Sequence, residues 1–539
     1  MSEWLFGWEN EYAFRATDGR ARPAERTTLL HSIQPLIMAK YPALVGPGSG
    51  GMFLANGGRM YVDCGMHQEW CTPECANPWD VVRYLLAGEK LLAEAVAEAL
   101  VKARRTGEAA FFRCNVDYSG TGSTWGAHES ILHRYGGDAL VAQLVPFLVS
   151  RIVITGAGGF DPASPCRFTL SPRVGYLRRT VSPHSTHDRG IFHTKDEPLA
   201  SAGYHRLHII CGESLNSHLA NWLKAGTTVL AVALAEAGFR PGDAVALQLP
   251  LRAMRRYADD PTCTAVASTK SRTLLTAISI QRHYLQLAEA HLRDAFMPPW
   301  AEEVTRRWRE LLDRLSSGID AVSTTLDWAI KLRLFQRHAQ RRGIPWESLR
   351  HWNNVLTHLV PPLAPLRRPY GMLPVDLLLL RHSRPRPVFT ASSPSVEQVR
   401  TLQPMIERKG LSIGQLADVL KLRAELLEID LRFGELGSAG LFNVLDQAGV
   451  LDHRVAGVDN IEHAVANPPQ LGRARIRGEA IRRLSPRGSQ YSCDWSAIYS
   501  ATERRMLDLS EPWTAQENWK SYNMPSDSDV PDVGFECPA

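Results

Sequence analysis

The sequence lacks the features of membrane and secreted proteins. Its longest apolar run, around Thr227–Phe239, is interrupted by Glu236 and is shorter than the ~20 residues that a membrane span requires. The first twelve residues, MSEWLFGWENEY, carry acidic side chains where a signal peptide has a basic and then an apolar stretch. The nine cysteines are an odd number at irregular spacing, so they predict no disulfide framework. We therefore expect a reduced, cytoplasmic protein with no membrane partner.

Several motifs for nucleotides, metals and hydrolysis are also missing. The sequence contains no GxxxxGK[ST] P-loop, no GxGxxG fingerprint between a strand and a helix, and no GxSxG elbow. Cys71 and Cys75 do not have CxxC spacing and no second pair accompanies them, which argues against a zinc site. A net charge of +5 over 539 residues is too small to predict nucleic acid as a partner.

What the sequence does contain is polar residues spaced as on β-strands. Residues two apart on a strand project from the same face, and four such pairs occur: Glu9 and Glu11, Tyr61 and Asp63, His67 and Glu69, Arg206 and His208. A solvent-facing strand would account for any one pair. Four pairs within aromatic and aliphatic strands instead favour a buried acidic face, which needs cations to offset repulsion and desolvation. Carboxylates with one or two imidazoles suit Mg²⁺ or Mn²⁺, and Mg²⁺ usually accompanies substrate phosphates.

The segment FLANGGRMYVDCGMHQEWCTPEC (53–75) resembles the characteristic segment of the Pup ligase and Pup deamidase (depupylase) family. Six further segments resemble that family in the same order along the chain: GWENEY (7–12), GSTWGAHES (122–130), the block from HDRGIF to KAGTT (187–228), TTLDWAIKLRL (324–334), EIDLRFGEL (428–436) and RARIRGEA (473–480). Seven matches in order make a much stronger resemblance than any one of them.

The resemblance implies an α+β fold: a glutamine-synthetase-like, curved and mostly antiparallel sheet that forms a cradle backed by helices, plus a small C-terminal domain. We expect a catalytic domain over 1–425, with a Pro-rich insertion at about 345–425, followed by the small domain over 426–512. Residues 513–539 are predicted to form a polar, flexible tail, because they contain few large apolar side chains. Proline cannot continue a helix or donate to a sheet, so the Pro-rich insertion is predicted to be an extended connection.

The implied activity uses ATP and Mg²⁺, with Mn²⁺ as a possible substitute. The γ-carboxylate of a C-terminal Glu on a Pup-like protein or peptide is phosphorylated, and a lysine of an acceptor protein attacks the acyl phosphate. The resemblance also implies site residues by position: a catalytic Asp63; metal ligands Glu9, Tyr61, Glu69 and His208; nucleotide contacts Glu11, Arg189, Arg206, Arg473 and Arg477; and His128 in the wall of the site.

Three alternatives stay open at this point. The deamidase relatives use the same site to hydrolyse a C-terminal Gln or the isopeptide bond, and the TPEC ending of segment 53–75 resembles them. The 52-residue spacing from Glu9 to Tyr61 is compact, without the insert of the deamidases, and favours the ligase. A non-catalytic nucleotide-binding module and a ligase that joins an amino acid to a peptide are the other two. Departures at Lys195, Arg475 and Ser130 from the family pattern allow a divergent substrate.

Overall fold

The computed structural model describes most of the chain. The described residues are 4–17, 27–48, 50–63, 65–103, 107–118, 122–135, 139–161, 164, 166–353, 404, 407–408, 413–500 and 502–522. Most of the predicted Pro-rich insertion and everything after 522 lie outside these ranges. Among the described residues, no helix has both the length and the apolar character needed to cross a bilayer.

The secondary structure mixes helices with short strands. The strands are β1 Phe6–Ala16, β2 Ala43–Val45, β3 Met52–Leu54, β4 Arg59–Val62, β5 Gln68–Cys71, β6 Ala109–Phe112, β7 Ala127–His133, β8 Gly159–Phe160, β9 Phe168–Thr169, β10 Arg179–Ser182, β11 Gly190–His193, β12 His205–Ile209, β13 Val266–Ser268, β14 Leu274–Thr276, β15 Tyr491–Cys493, β16 Ala497–Ser500, β17 Arg505–Asp508 and β18 Trp519–Ser521. The helices are α1 Thr27–Lys40, α2 Pro78–Lys102, α3 Ala139–Ser150, α4 Ile152–Thr155, α5 His218–Glu236, α6 Pro250–Ala258, α7 Ala277–Ala290, α8 Ala301–Ser317, α9 Asp327–Arg341, α10 Ile413–Phe433, α11 Leu441–Gln447, α12 Ile461–Ala466 and α13 Gly472–Leu484.

The central sheet has eight strands in the order β12-β7-β1-β5-β4-β3-β2, and β6 pairs with the second half of β1. Every pair in this sheet is antiparallel. The predicted α+β fold with a mostly antiparallel sheet is therefore confirmed. Strand β1 lies between β7 and β5, so the first polar pair of the sequence is placed at the centre of the sheet.

Alternation along β1 decides which side chains enter the core. Trp8 and Tyr12 are buried, and the Tyr12 hydroxyl donates to Glu89 of α2 at 3.2 Å. Glu9 and Glu11 occupy the intervening positions and, by the period of two, point to the opposite face. One face of the sheet thus packs on helices while the other carries the carboxylates.

The helices behind the sheet pack closely through large aromatic side chains. The indole of Trp70 in β5 lies against Gly88 of α2, where a Cβ atom would come within 2.2 Å of the ring. Trp79 of α2 meets Trp222 of α5 edge to face, with ring centroids 5.0 Å apart. The apolar run noted in the sequence forms the second half of α5, whose side chains lie in the main core. This run is therefore a core helix.

A second, smaller core joins the C-terminal sheet to the edge of the central sheet. Strands β15–β18 form a four-stranded antiparallel sheet. Side chains from this sheet and from α13 pack with Leu44, Phe53 and Ala55. Helix α10 runs without a break across the boundary predicted at 425/426, and β18 extends the ordered sheet beyond 512. The division into two domains stays a prediction.

A buried ion-pair cluster fastens α13 to the segment after β5. The Glu74 carboxylate accepts hydrogen bonds from Arg473 Nε at 2.7 Å and from Arg477 Nη2, and Arg477 is fully buried. Burial alone would raise the pKa of Glu74, but the charges of Arg477 and Arg473 lower it to about 2. The cluster thus stabilises the contact between the two cores.

We expect Glu74→Gln to lower the free energy of unfolding by about 3–5 kcal/mol, because it leaves two buried guanidinium groups without their counter-charge. The folded pKa lies below the unfolded value of about 4.3. The ionic contribution is therefore complete above pH ~5 and is lost as the pH falls toward about 2. Urea unfolding at several pH values measures the difference between variant and wild type, which should shrink in acid.

The control is Glu479→Gln on α13, the helix that carries Arg473 and Arg477. There the Glu479 carboxylate pairs with the partly exposed Arg475, four residues earlier. Such a surface pair contributes about 0–1 kcal/mol. Equal losses for the two variants, or a Glu74→Gln loss that does not change with pH, would contradict the assigned role of the cluster.

Candidate active site

Five strands bring the predicted polar residues onto one face of the central sheet. Glu11 of β1 lies opposite Glu69 of β5, and Glu69 lies opposite Tyr61 of β4. On the other side of β1, Glu9 lies opposite His128 of β7. Residues that are directly paired across strands share a face, so this set forms one surface, which we call the site face.

Tyr61 connects two carboxylates of the site face. Its hydroxyl contacts both Glu9 and Glu69. Burial and the charge of Glu9 raise the pKa of Glu69 well above its usual value. Burial would also raise the pKa of Glu9, but hydrogen bonds with Glu69 and His128 lower it well below its usual value. Each carboxylate thus opposes the ionisation of the other, and a divalent ion could offset both charges.

Two histidines complete a group with the donor set of a metal site. One ligand atom each from Glu9, His128 and His208 lies within 4.8 Å of the others. Burial and the nearby Arg206 charge lower the pKa of His208 well below its usual value, so the ring is neutral. Its buried Nε2 has no hydrogen-bond partner among the described residues. These observations are compatible with a divalent cation such as Mg²⁺ or Mn²⁺, and they place His128, predicted only as wall, among the candidate ligands.

Asp63 lies at the end of β4, beside the metal-ligand group. Its Oδ1 accepts the backbone N–H of His67 at 2.6 Å. The His67 Nδ1 lies 3.5 Å from Asp63 Oδ2 and 3.4 Å from Glu11 Oε2. Burial would lower the pKa of His67, but Asp63 and Glu11 raise it to about 9. His67 thus lies between the two carboxylates, and the Asp63 side chain is partly exposed.

The predicted arginines Arg189 and Arg206 border the site face. Arg206 Nη2 lies 3.2 Å from His208 Nδ1. Arg189 donates to the Thr124 hydroxyl at 2.6 Å. Burial and the charge of Arg173 lower the pKa of Arg189 to about 10. Arg189 and Arg173 are thus neighbouring cations that repel each other away from bulk water, an arrangement suited to an anionic ligand.

Arg173 is a site residue that sequence reasoning missed. It is only 2% exposed, and its Nε and Nη1 have no hydrogen-bond partner among the described residues. Its charge helps to lower the pKa of Glu11 to about 2, against the effect of burial and together with His67 and His128. Arg173 lies in a short 3-10 helix, 172–176, far from the strand pairs, and no spacing in the sequence indicates its position.

Arg59 was also missed, although the strand spacing could have found it. It stands two residues before Tyr61 on β4, and its guanidinium lies 4.3 Å from the centroid of the Tyr61 ring. Its Nη2 donates to the Gly50 carbonyl at 2.7 Å. The same period of two that selected Tyr61 and Asp63 therefore extends backward by one position.

The structure does not bring Arg473 and Arg477 to the site face. Both donate to Glu74, as described above, and their remaining bonds go to backbone carbonyls, including Gly57 for Arg477 at 2.8 Å. Both side chains are buried. These contacts give both arginines a structural role, and the nucleotide contact predicted for them stays a prediction.

The fold and the site face together are typical of one class of protein. In this class an antiparallel sheet carries carboxylates and imidazoles on one face, and arginines border them. The family model "Pup-ligase protein" matches residues 5–355 and 398–499. The chain belongs to this family.

Sequence similarity to three named proteins supports this assignment. The chain is 30% identical over 455 residues to a Pup–protein ligase of Rhodococcus erythropolis, covering 83% of each protein. It is 28% identical over 513 residues to a Pup–protein ligase of Micrococcus luteus, covering 92% of this chain and 91% of the other. A Pup deamidase/depupylase of Mycolicibacterium smegmatis is 37% identical over 310 residues, covering 56% of this chain and 61% of the other.

Two solved structures share the fold. The ligase PafA in complex with the prokaryotic ubiquitin-like protein Pup is similar with a TM-score of 0.69 and 24% identity, covering 95% of this chain and 90% of the other. The Pup ligase PafA in complex with ADP is similar with a TM-score of 0.65 and 24% identity, covering 91% of both chains.

We expect Glu9→Gln to weaken Mn²⁺ binding at least ~10-fold, because even partners outside the ligand shell change metal affinity by 10–100-fold. Titration with Mn²⁺, followed by the electron paramagnetic resonance of the free ion, measures the affinity. Glu428→Gln is the control, since this exposed carboxylate pairs with Arg15 away from the site face. Equal Mn²⁺ affinity in Glu9→Gln and wild type would contradict the metal site.

Proposed function

We propose that this protein is an ATP-dependent ligase that joins a Pup-like protein to a lysine of an acceptor protein. The observation that carries the proposal is the site face itself, where ligand atoms of Glu9, His128 and His208 lie within 4.8 Å of one another. The Tyr61 hydroxyl links Glu9 to Glu69, and Asp63 contacts His67. Family membership supports it, as do relatives named Pup–protein ligases and similar structures that contain Pup or ADP.

The ligands of a divalent ion are proposed from the site face. Glu9, Tyr61, Glu69, His128 and His208 would hold Mg²⁺, with Mn²⁺ as a substitute. When bound, the ion would neutralise phosphate charge as the phosphoryl group is transferred. A cation at this position would offset the repulsion between the Glu9 and Glu69 carboxylates.

Arginines contribute the remaining positive charge. Arg189 and Arg206 are proposed to contact the nucleotide phosphates. Arg173, whose Nε and Nη1 have no hydrogen-bond partner among the described residues, is proposed to add its charge to theirs. Fixed donors in a site of low dielectric stabilise developing charge more than they would in water. Glu11, predicted as a nucleotide contact, lies against His67, His128 and Arg173, and we propose that it orients these three side chains.

Asp63 is proposed as the general base. The γ-phosphoryl group of ATP passes to the C-terminal Glu carboxylate of the Pup-like protein, and ADP leaves. The lysine nitrogen then attacks the acyl carbon, the bond to phosphate breaks, and Asp63 accepts the ammonium proton. His67 holds the Asp63 carboxylate toward this position through its backbone N–H, so one face of the carboxylate stays open.

A second candidate function is deamidation or depupylation at the same site. The observation that favours it is the 37% identity to a Pup deamidase/depupylase, which exceeds that to the ligases above but covers less of the chain. In that reaction water takes the place of lysine, and ATP is not consumed in each turnover.

The substrates distinguish these candidates. With Mg²⁺, ATP, a Glu-ended Pup and a lysine-bearing protein, we expect one phosphate released for each conjugate formed, counted by phosphate assay and gel shift. A Gln-ended Pup is the matched control and should give no conjugate. Deamidation of the Gln-ended form, or cleavage of a ready-made conjugate without ligation, would overturn the ligase proposal. Nucleotide binding with no reaction on any substrate would indicate a non-catalytic module.

We expect Asp63→Asn to bind ATP with unchanged affinity and to lower kcat by about 10²–10⁴-fold, the usual contribution of a general base. Calorimetry measures the first quantity and single-turnover ligation the second. Asp313→Asn, which disturbs only a surface contact with Arg282, should behave as wild type. A kcat within a few-fold of wild type for Asp63→Asn would contradict its role as the base.

A further inference from the structure

The loop before β12, residues 194–204, is attached to the C-terminal sheet. The Ser201 backbone N–H donates to the Ser510 carbonyl at 2.8 Å. The Glu511 carboxylate accepts the Ser201 hydroxyl and the Tyr204 hydroxyl, both at 3.1 Å. One side chain from beyond β17 thus binds two positions of the loop, three residues apart.

A third attachment holds the loop in an unfavourable backbone conformation. Leu199 has φ of +46°, which a residue with a Cβ atom rarely adopts. Its side chain is half exposed, so packing contributes little to the conformation. Its carbonyl accepts a hydrogen bond from Arg473 Nη1. The bonds to the C-terminal part of the chain therefore maintain the shape of the loop.

The same loop contacts an arginine of the site face. Asp196 Oδ1 accepts the backbone N–H of Arg206 at 2.7 Å, and Glu197 Oε2 lies 3.9 Å from Arg206 Nη2. Arg206 in turn lies beside His208. Polar contacts thus hold the loop at two places: Glu511 binds residues 201 and 204, and residues 196 and 197 contact Arg206. The loop backbone connects the two.

We propose that Glu511 is a positioning residue that aligns Arg206 with the nucleotide phosphates by fixing loop 194–204. The proposal rests on the proposed function, in which Arg206 contacts those phosphates. The hydrogen-bond partners of Glu511 lie in the loop and in its own segment. Its effect on the site face therefore passes through the loop, and detachment of the C-terminal segment weakens nucleotide binding while Glu9 and Asp63 stay in place.

The first test compares three variants for ATP kinetics and for amide hydrogen exchange of loop 194–204. Glu511→Ala removes both acceptors, and we expect KM for ATP to rise about 3–10-fold, as for the loss of one or two modest hydrogen bonds. The kcat should change less than twofold, and the loop amides should exchange faster. Glu511→Gln keeps one acceptor oxygen and should be intermediate. Glu517→Ala, which removes contacts with Arg483 of α13 and Trp519 of β18, should match wild type.

The second test restores the attachment covalently. Ser201→Cys with Ser510→Cys, added to Glu511→Ala, places two thiols where the backbones are hydrogen-bonded, a spacing compatible with a disulfide. Oxidation should return KM for ATP to the wild-type value, and reduction should raise it again. A merely structural role for Glu511 would not give this reversible change.

Two outcomes would overturn the proposal: faster loop exchange with unchanged KM for ATP, and no recovery of KM after a complete cross-link. Failure of the proposed function looks different, because the wild-type protein itself would then show no ATP-dependent ligation. A wild type that uses ATP, with Glu511→Ala kinetics identical to it, refutes the positioning role alone.

Discussion

The structure depends on the crowding of negative charge on one buried face of a sheet. Glu9, Glu11 and Glu69 lie on neighbouring strands, where desolvation and mutual repulsion oppose their ionisation. Each of them has a polar partner nearby: the Tyr61 hydroxyl for Glu9 and Glu69, and His67 for Glu11. These contacts are short-range and directional. They determine the positions of the histidines and arginines around the site face.

The opposite face of the sheet supplies the rigidity that this arrangement needs. Trp70 fills the space left by Gly88, and the buried α5 packs against α2 through Trp222. A charged cluster held by flexible strands would relax by moving apart. Here the helices behind the sheet fix the strands. The repulsion between the carboxylates therefore persists until a cation and phosphate groups bind and offset it.

The sequence predicted the sheet residues of the site well and the residues around the sheet poorly. The period of two identified Glu9 and Glu11, because strand geometry alone decides which face such residues occupy. The same rule reaches Arg59, which lies two positions further back on β4. Arg173 comes from a separate short helix, and its proximity to Glu11 depends on tertiary folding. A motif places Arg473 in the C-terminal region, but only the structure shows that Glu74 binds it.

The hairpin formed by β4 and β5 has a further consequence for how the site is assembled. It holds the proposed base, two proposed metal ligands and the bridging His67 within residues 61–69, so half of the site forms through contacts that are local in sequence. The other half, on β1, β7 and β12, requires closure of long loops. The β4–β5 hairpin is thus one contiguous segment of the site. Its exchange between related proteins would transfer the proposed base together with the two proposed ligands next to it.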